Sequence, residues 1–247
     1  MNEVKLHCSY SSPGKKNDRR LLIKLSGEAL AGEGGVLDFK KVDDIAAELA
    51  LLQKKGYQIS IMIGGGNIYR GRDSSQQNRT DADHMGMLAT TINSLAMQDS
   101  LRNVGAEVQV LSAIPMEQVC DTFTERHASA LLDEGVIVLF AAGIGRPFFS
   151  TDTAAALRAL EIGATALYCA KNVDGVYDDD PKKVKDAEYY PQISYDKFIK
   201  KNLQAMDQTA VALCRNYDLP IFVFELESGA SIPTALSGGV HGSWIHS

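Results

Sequence analysis

The stretch QISIMIGGGNIYRG, Gln58 to Gly71, carries the strongest fold signal in the chain. Its first half, Ile59 to Ile63, is an unbroken apolar run, which is typical of a strand buried on both faces of a parallel sheet. Three glycines, Gly64 to Gly66, follow at once. Because they lack Cβ atoms, a ligand can reach the backbone N–H groups, as in loops that surround a phosphate. Arg70 then adds a permanent cation. The stretch predicts a tight strand-to-helix turn that either carries a surface arginine or binds an anion.

The composition is that of an ordinary globular chain. Of its 247 residues, 45% are hydrophobic and 23% are charged, which is enough for one sizeable α/β core. The net charge of −6 argues against nucleic acid or an anionic membrane as a partner, since both need a clustered basic surface. The four cysteines are far apart, without CxxC, and the histidines lack metal-ligand spacing. With no apolar run of membrane-spanning length and no signal peptide, we expect a cytoplasmic protein without structural zinc.

The order of the predicted elements indicates a flexible polar arm at residues 1–18 and a single domain at residues 19–247. Short apolar strands alternate with amphipathic helices, and no Pro-rich linker interrupts them. We therefore predict a three-layer αβα sandwich around an open, mostly parallel sheet. The predicted strands are Leu21–Leu25, Ile59–Ile63, Val108–Leu111, Val136–Ala141, Ala166–Ala170 and Ile221–Phe224. Three predicted helices run from Asp38 to Gly56, from Asp81 to Val104 and from Thr124 to Glu134. A fourth begins at Thr151, and further helices lie between Ser194 and Tyr217.

An apolar stripe marks one side of the predicted helix Asp81 to Val104. Methionine-rich stripes of this kind are more typical of core packing than of a cofactor site, so we expect this one in the core. The helix is nevertheless too hydrophobic for its outer side to be fully solvated, which favours an oligomer. The stripe consists of Met85, Leu88, Ile92, Leu95 and Leu101.

A second glycine loop repeats the arrangement of the first. The predicted strand that ends at Ala141 runs into Gly143 to Ser150, and Thr151 and Asp152 then begin a helix. Two such loops at the carboxyl ends of parallel strands lie at the same edge of a sheet, where doubly wound folds bind their ligands. We therefore expect two neighbouring ligand sites at this edge.

Lys24 stands at the end of the first predicted strand, directly before the turn Ser26-Gly27. It is either a snorkelling edge residue or a phosphate cation. The P-loop motif, a helix-opening GxGxxG and GxSxG are all absent from the chain. Phosphoryl transfer, by contrast, requires mainly positioning and charge neutralisation. The amides of Gly64 to Gly66, Lys24, Arg70 and a carboxylate-held Mg²⁺ would supply both.

Seven segments in order resemble the bacterial uridylate kinases of the amino acid kinase superfamily. The resemblance runs from about Arg19 to the C-terminus. KxSG and GGGN occur throughout the superfamily, whereas DHMGML and GxGxPFFSTD are specific to its UMP-using branch. The segments are KLSGEAL at Lys24–Leu30, IGGGN at Ile63–Asn67 followed by Arg70, DHMGMLAT at Asp83–Thr90, SAIPM at Ser112–Met116, GIGRPFFSTDTAA at Gly143–Ala155, VDGVYDDDP at Val173–Pro181, and MD at Met206–Asp207.

The resemblance implies an ATP- and Mg²⁺-dependent kinase that converts UMP to UDP and assembles as a homohexamer. Asp207 and Asp152 would orient Lys24 and the metal, and Asp152 is the one candidate for direct metal contact. The implied catalytic residues are Lys24, Arg70, Asp152 and Asp207. The implied ATP-binding residues are Lys24, Leu25, Ser26, Gly27, Gly66 and Arg70, with Asn172 or Lys171, Tyr177 and Asp180 at the adenosine. The implied UMP-binding residues are Gly65, Asp83, Ile144, Gly145, Arg146, Pro147, Phe148, Phe149, Ser150 and Thr151.

The chain departs from the family pattern in two places. Arg146 stands where the family usually has Asn, and its side chain points either into the UMP site or to solvent. The segment AGEGGVLD after KLSGEAL is short compared with members that GTP activates there, so this regulation is not implied. Phe148 and Phe149 are expected to back the loop, so that fixed backbone groups read the uracil base.

Two alternatives remain open. Another kinase of the superfamily, acting on carbamate or an amino acid, would share GGGN but has no need of DHMGML. A non-catalytic oxyanion-binding relative would keep the fold without keeping Lys24 and Asp207 together. The lack of a catalytic histidine is expected for a UMP kinase, because a phosphate monoester loses its second proton near pH 6 and needs no general base.

Overall fold

The structure is a computed structural model that describes residues 19–32, 35–69, 78–226 and 231–247. The predicted arm at residues 1–18 and the predicted site residue Arg70 lie outside the described residues. No helix in the part of the chain that the structure describes is long and apolar enough to cross a membrane.

A nine-stranded sheet forms the centre of the fold, in the order β4-β3-β5-β2-β1-β6-β10-β11-β9. All neighbouring strands in it are parallel except β10 and β11, which pair antiparallel. The strands are β1 (Arg20–Leu25), β2 (Gln58–Ile63), β3 (Val108–Ser112), β4 (Asp121–Thr122), β5 (Ile137–Ala141), β6 (Ala166–Lys171), β7 (Val176–Tyr177), β8 (Tyr189–Tyr190), β9 (Gln192–Ser194), β10 (Ile221–Glu225) and β11 (Gly242–His246). β7 and β8 form a separate antiparallel ribbon.

Helices cover both faces of the sheet, and the predicted α/β class with an open, mostly parallel sheet is confirmed. α1 packs on α2 and α7 on one face, whereas α4 packs on α6 on the other. The helices are α1 (Phe39–Lys54), α2 (Arg79–Asn103), α3 (Glu125–Asp133), α4 (Thr151–Glu161), α5 (Tyr195–Lys200), α6 (Gln208–Asn216) and α7 (Ser231–Leu236), with a 3₁₀ turn at Gly27–Leu30.

Alternation along β1 assigns its side chains to two core clusters. Leu21, Ile23 and Leu25 pack with the helices on the α1 side, whereas Leu22 packs in the cluster on the α4 side. Because side chains alternate along a strand, Lys24 shares the face of Leu22. The strand thus directs one lysine towards α4 at the carboxyl edge of the sheet.

The expectation that the apolar stripe of α2 lies in the core is wrong for three of its members. Met85, Leu88 and Ile92 are 37%, 51% and 48% exposed, Leu95 is partly buried, and only Leu101 is fully buried. The buried side of α2 carries mainly small and polar residues, with Met97 and Leu101 in the core. Small residues are needed where the helix passes very close to the glycine loop. A Cβ added at Gly65 would lie 2.9 Å from the Ala89 Cβ.

Candidate active site

A cavity of about 420 Å³ lies at the carboxyl ends of β1, β2 and β5. Its wall comes from the 3₁₀ turn after β1, the glycine loop after β2, the first half of α2 and the loop between β5 and α4. The two glycine loops therefore open into one cavity, as their positions at the ends of parallel strands predict.

The glycine loop is held by close backbone packing and by two amide side chains. A Cβ at Gly27 would lie 2.6 Å from the Gly64 carbonyl oxygen and 2.9 Å from the Gly66 nitrogen, so no larger residue fits there without a shift. Asn93, fully buried in α2, donates to the Gly64 carbonyl at 2.7 Å and to Asn67 Oδ1 at 2.8 Å. The backbone amides of the loop are thus placed before any ligand arrives.

Lys24, Lys171 and Asp152 form a buried ion cluster beside this loop. Lys24 Nζ lies 3.1 Å from Asp152 Oδ1, and Lys171 Nζ lies 2.5 Å from Asp152 Oδ2. Asp152 is 8% exposed and occupies the first turn of α4, where the helix dipole favours a negative charge. Both carboxylate oxygens therefore hold ammonium groups, and the cluster presents two cations on one carboxylate.

The electrostatics of the cluster keep Asp152 and Lys171 charged at neutral pH. Burial by itself would raise the pKa of the Asp152 carboxyl, but the charges and hydrogen bonds of Lys24 and Lys171 outweigh it and hold that pKa well below its usual range. Burial likewise opposes the charge of Lys171, yet the pKa of its ammonium is raised because Asp152 lies against it. Burial raises the pKa of the neighbouring Cys169 thiol to about 12, so this group stays neutral.

Asp207 joins the site through the start of α6. Its carboxylate accepts the Thr209 N–H at 2.7 Å and caps the helix, and its own N–H lies 3.4 Å from Asp152 Oδ2. The residue also lines the cavity. The structure thus gives Asp207 a capping role in addition to its place in the cavity wall.

Two strained residues shape the loop after β5. Ala142 and Phe148 have positive φ angles, 60° and 73°, which residues with a Cβ adopt rarely. Each donates its backbone N–H to a side chain of α2: Ala142 to Thr90 Oγ1 at 2.9 Å, and Phe148 to Asp83 Oδ2 at 2.7 Å. Hydrogen bonds from α2 therefore stabilise the conformation of this loop.

The expectation that Phe148 and Phe149 back the loop is wrong. The two residues are 70% and 51% exposed, and both line the cavity. The positive φ of Phe148 turns its side chain away from the core. The aromatic rings thus stand at the open side of the cavity. Arg146 is also exposed and lines the cavity.

Most of the predicted site residues meet in this cavity. Apart from the predicted adenosine residues, four of the described ones do not line the cavity. Leu25 lies in the core, and Gly145 and Pro147 belong to the loop after β5. Asp152 is an ion-pair partner of Lys24. The predicted adenosine residues lie apart from the wall: Asn172 follows β6, Tyr177 donates to Asp174, and Asp180 pairs with Lys183. The predicted residues that line it are Lys24, Ser26, Gly27, Gly65, Gly66, Asp83, Ile144, Arg146, Phe148, Phe149, Ser150, Thr151 and Asp207.

Lys171 and Arg79 are the residues whose place the sequence pattern did not indicate. The resemblance suggests Lys171 only as an adenosine contact. Lys171 is nevertheless the last residue of a buried strand, and Lys24 is the last but one of another, so this repeated pattern is a usable signal. Arg79 donates to both oxygens of Asp83 from one helical turn earlier. The i,i+4 spacing of Arg79 and Asp83 in a predicted helix is the sequence signal that indicates this contact.

The fold and the site together define an enzyme of the kinase class, with paired cations and a glycine loop at the edge of a parallel sheet. The family model described as the amino acid kinase family matches residues 19–225. The chain is 50% identical over 230 residues to a uridylate kinase of Xanthomonas campestris pv. campestris, covering 92% of this chain and 94% of that protein. A uridylate kinase of Xanthomonas oryzae pv. oryzae matches with the same identity and coverage.

Solved structures agree with this match. The crystal structure of UMP kinase from Ureaplasma parvum superposes with a TM-score of 0.88 at 35% identity, covering 93% of this chain and 99% of that one. UMP kinase from Bacillus anthracis gives a TM-score of 0.87 at 38% identity, covering 92% and 96%. The chain belongs to the uridylate kinases of the amino acid kinase family, so the resemblance predicted from its motifs is confirmed.

Proposed function

We propose that the protein transfers the γ-phosphoryl group of ATP to UMP, giving UDP and ADP in pyrimidine nucleotide biosynthesis. The observation that carries the proposal is the ion cluster of Lys24, Lys171 and Asp152 beside the glycine loop, in a cavity that also reaches Asp83 and the loop after β5. The relatives named uridylate kinase or UMP kinase support the choice of acceptor.

Charge neutralisation is the main chemical task in this reaction. UMP and ATP both bring negative charge, and each pair of unit charges at about 4 Å repels by roughly 4 kcal/mol at an effective dielectric of 20. Lys24 and Lys171 are placed to offset this repulsion, and Asp152 keeps both ammonium groups in place. The amides of the glycine loop add donors for phosphate oxygens. Phosphoryl transfer needs little else from the protein.

Magnesium enters this reaction as part of MgATP. Mg²⁺ keeps several waters and binds largely through substrate phosphates, so it does not require a protein cage. Within the described ranges, no group of three or more His, Cys, Asp or Glu side chains could hold a metal. Asp152 already holds a lysine on each oxygen, and we therefore propose that it orients the lysines and that Asp207 is the acid nearer the metal.

The proposed contacts to the phosphates and to UMP lie at the cavity, and the proposed adenosine contacts lie apart from its wall. Lys24, Ser26, Gly27 and Gly66 would hold the ATP phosphates, with Arg70 beside them, and Asn172, Tyr177 and Asp180 would hold adenosine. Gly65, Asp83 and residues 144–151 would hold UMP.

We further propose a cytoplasmic homohexamer. The support for assembly is the exposed stripe of Met85, Leu88 and Ile92, because three large apolar side chains on one helical face favour contact with another subunit.

The test is an assay of the purified protein with ATP, Mg²⁺ and separate acceptors: UMP, CMP, carbamate and N-acetylated amino acids. UDP and ADP, quantified by ion-exchange chromatography, should form in equal amounts with UMP. CMP should react at least about tenfold less efficiently, because it reverses the donor and acceptor at positions 3 and 4 of the base. Transfer to carbamate or an amino acid would favour another kinase of the superfamily. Binding of nucleotide without any transfer would favour the non-catalytic relative.

A further inference from the structure

Three hydrogen bonds converge on the carboxylate of Asp83, and they come from two different elements. Arg79 Nε donates to both carboxylate oxygens at 2.9 Å, from one turn earlier in α2. The backbone N–H of Phe148 donates to Oδ2 at 2.7 Å, from the loop after β5. The Asp83 side chain therefore connects α2 to that loop in the wall of the cavity.

The loop side of this connection is strained. Phe148 has a φ angle of 73°, and its exposed side chain gains little from burial. The charge-assisted hydrogen bond to Asp83 is the contact that stabilises this backbone conformation. The orientation of the Asp83 carboxylate thus decides how the loop enters the cavity.

Arg79 contacts both Asp83 and Phe148. Besides its two hydrogen bonds to Asp83, its guanidinium carbon lies 6.0 Å from the centroid of the Phe148 ring, within cation–π range. Its side chain is 54% exposed and that of Asp83 is 18% exposed. An i,i+4 ion pair on a helix contributes little to the stability of a fold. The two contacts of Arg79 therefore indicate a role in the site rather than in folding.

We propose that Arg79 is a positioning residue for the acceptor nucleotide. It orients Asp83 and, through Asp83, holds Phe148 in the conformation that receives UMP. The inference rests on the proposed function, because Asp83 and the loop are the groups proposed to hold UMP. Loss of the guanidinium should weaken acceptor binding and leave the ATP half of the cavity unchanged, since the ATP phosphates bind at the other loop.

The kinetic test compares Arg79→Ala with the wild type and with Arg102→Ala, an exposed arginine at the other end of α2. The KM for UMP should rise about tenfold in Arg79→Ala, the size of one charge-assisted hydrogen bond. The kcat and the KM for ATP should stay within about twofold, because these depend on groups that Arg79 does not touch. Arg79→Lys should recover part of the loss, since it restores the charge but not the planar fork.

A double-mutant cycle with Asp83→Ala separates positioning from a general structural effect. Because Arg79 acts mainly through Asp83 and only weakly through the Phe148 ring, Arg79→Ala should have much less than its full effect in the Asp83→Ala background. UMP added without ATP should raise the Tm of Arg79→Ala less than that of the wild type, in parallel with the rise in the KM for UMP. This measurement gives a readout besides turnover. Arg79→Gln, with a side chain of similar length, serves as the second variant if Arg79→Ala folds poorly.

The outcomes distinguish the two proposals. If the wild type forms no UDP, the proposed function and this inference both fail. If the wild type forms UDP, the inference alone is overturned by a rise of less than about threefold in the KM for UMP, by an equal rise in the KM for ATP, or by full additivity with Asp83→Ala.

Discussion

The ammonium of Lys171 lies 2.5 Å from Oδ2 of Asp152, in an ion cluster with Lys24 that three elements bring together. In the parallel register of β1 and β6, Lys24 is opposite Cys169, so Lys171, two residues further, points to the same face. α4 begins over that face and supplies Asp152 from its first turn. The two lysines are therefore oriented by a single carboxylate before the substrates bind.

Lys171→Met should lower kcat by at least about a hundredfold, as the loss of an electrostatic stabiliser usually does, and Lys24→Met should do the same. The exposed Lys200 on α5 offers a matched control, and Lys200→Met should leave kcat unchanged. Steady-state kinetics with ATP and UMP measure the effect. A Lys171→Met enzyme with normal kcat and a raised KM for ATP would instead support a contact to adenosine.

Asp152→Asn should destabilise the protein by about 3 kcal/mol, because it leaves two buried ammonium groups without their counter-charge. Asp196→Asn is the control, since that carboxylate also pairs with a cation at 3.0 Å but its side chain is 84% exposed. Its loss should cost less than about 1 kcal/mol. Urea unfolding at pH 7 gives both values. Equal effects in the two variants would contradict a special role for the buried cluster.

The stability that Asp152 contributes should be constant across neutral pH and decline in acid. Its pKa is lowered by folding, so the contribution is complete above the unfolded value of about 4 and is lost as the pH falls towards the folded value. Folding raises the pKa of Lys171, so the stability that its charge contributes is complete below the unfolded value of about 10.4 and is lost at higher pH. The difference in unfolding free energy between wild type and Asp152→Asn should therefore be flat from about pH 5 to 9 and shrink below about pH 4. A difference that grows on acidification would refute this.

Gly27→Ala should impair ATP use, because the new Cβ would lie 2.5 Å from Asn67 Oδ1 and 2.6 Å from the Gly64 carbonyl oxygen. Relieving these contacts must displace the glycine loop, and we expect kcat/KM for ATP to fall at least about tenfold with a loss of about 1–3 kcal/mol of stability. Gly35→Ala is the matched control, since its Cβ would meet nothing closer than 3.6 Å. Kinetics and thermal denaturation of both variants provide the comparison. Similar behaviour of the two would show that the close packing at Gly27 is not needed.

Leu88→Glu together with Ile92→Glu should break the proposed hexamer, because the two side chains are exposed on the apolar stripe of α2 and charges there would be buried in a subunit contact. Light scattering should show a hexamer for the wild type and a smaller species for the variant. Leu51→Glu, on the exposed side of α1, should leave the mass unchanged. A wild-type monomer at micromolar concentration would end the hexamer proposal.

The strands of the sheet and the helices that cover it were largely predictable, because apolar runs and helical periodicity are local properties of the sequence. β1, β2, β3, β5, β6 and β10 match the predicted strands to within a residue or so at each end, and α1 begins next to Asp38, the predicted start of that helix. β11 was not predicted, since GSWIH has only a weak alternation and becomes a strand by pairing with β10. The helices predicted between Ser194 and Tyr217 are α5 and α6.

The stripe of α2 was misassigned because periodicity shows that a helix has an apolar face without showing which neighbour covers it. In the fold, the glycine loop requires Ala89 and other small residues on the inner face, which leaves Leu88 and Ile92 outside. The orientation of Phe148 was misassigned for a related reason. Its φ angle depends on the hydrogen bond that Asp83 accepts from a distant part of the chain.

The family, the parallel α/β class and the two glycine loops could be predicted from the sequence, because motifs and apolar patterns are carried by neighbouring residues. Which distant groups act together depends on the packing of the folded chain. Lys24 and Lys171 meet on Asp152 because the register of two parallel strands and the start of a helix place them there. Arg79 reaches the loop after β5 because Asp83 accepts hydrogen bonds from both. Such partnerships depend on packing across the sheet, which no local pattern specifies.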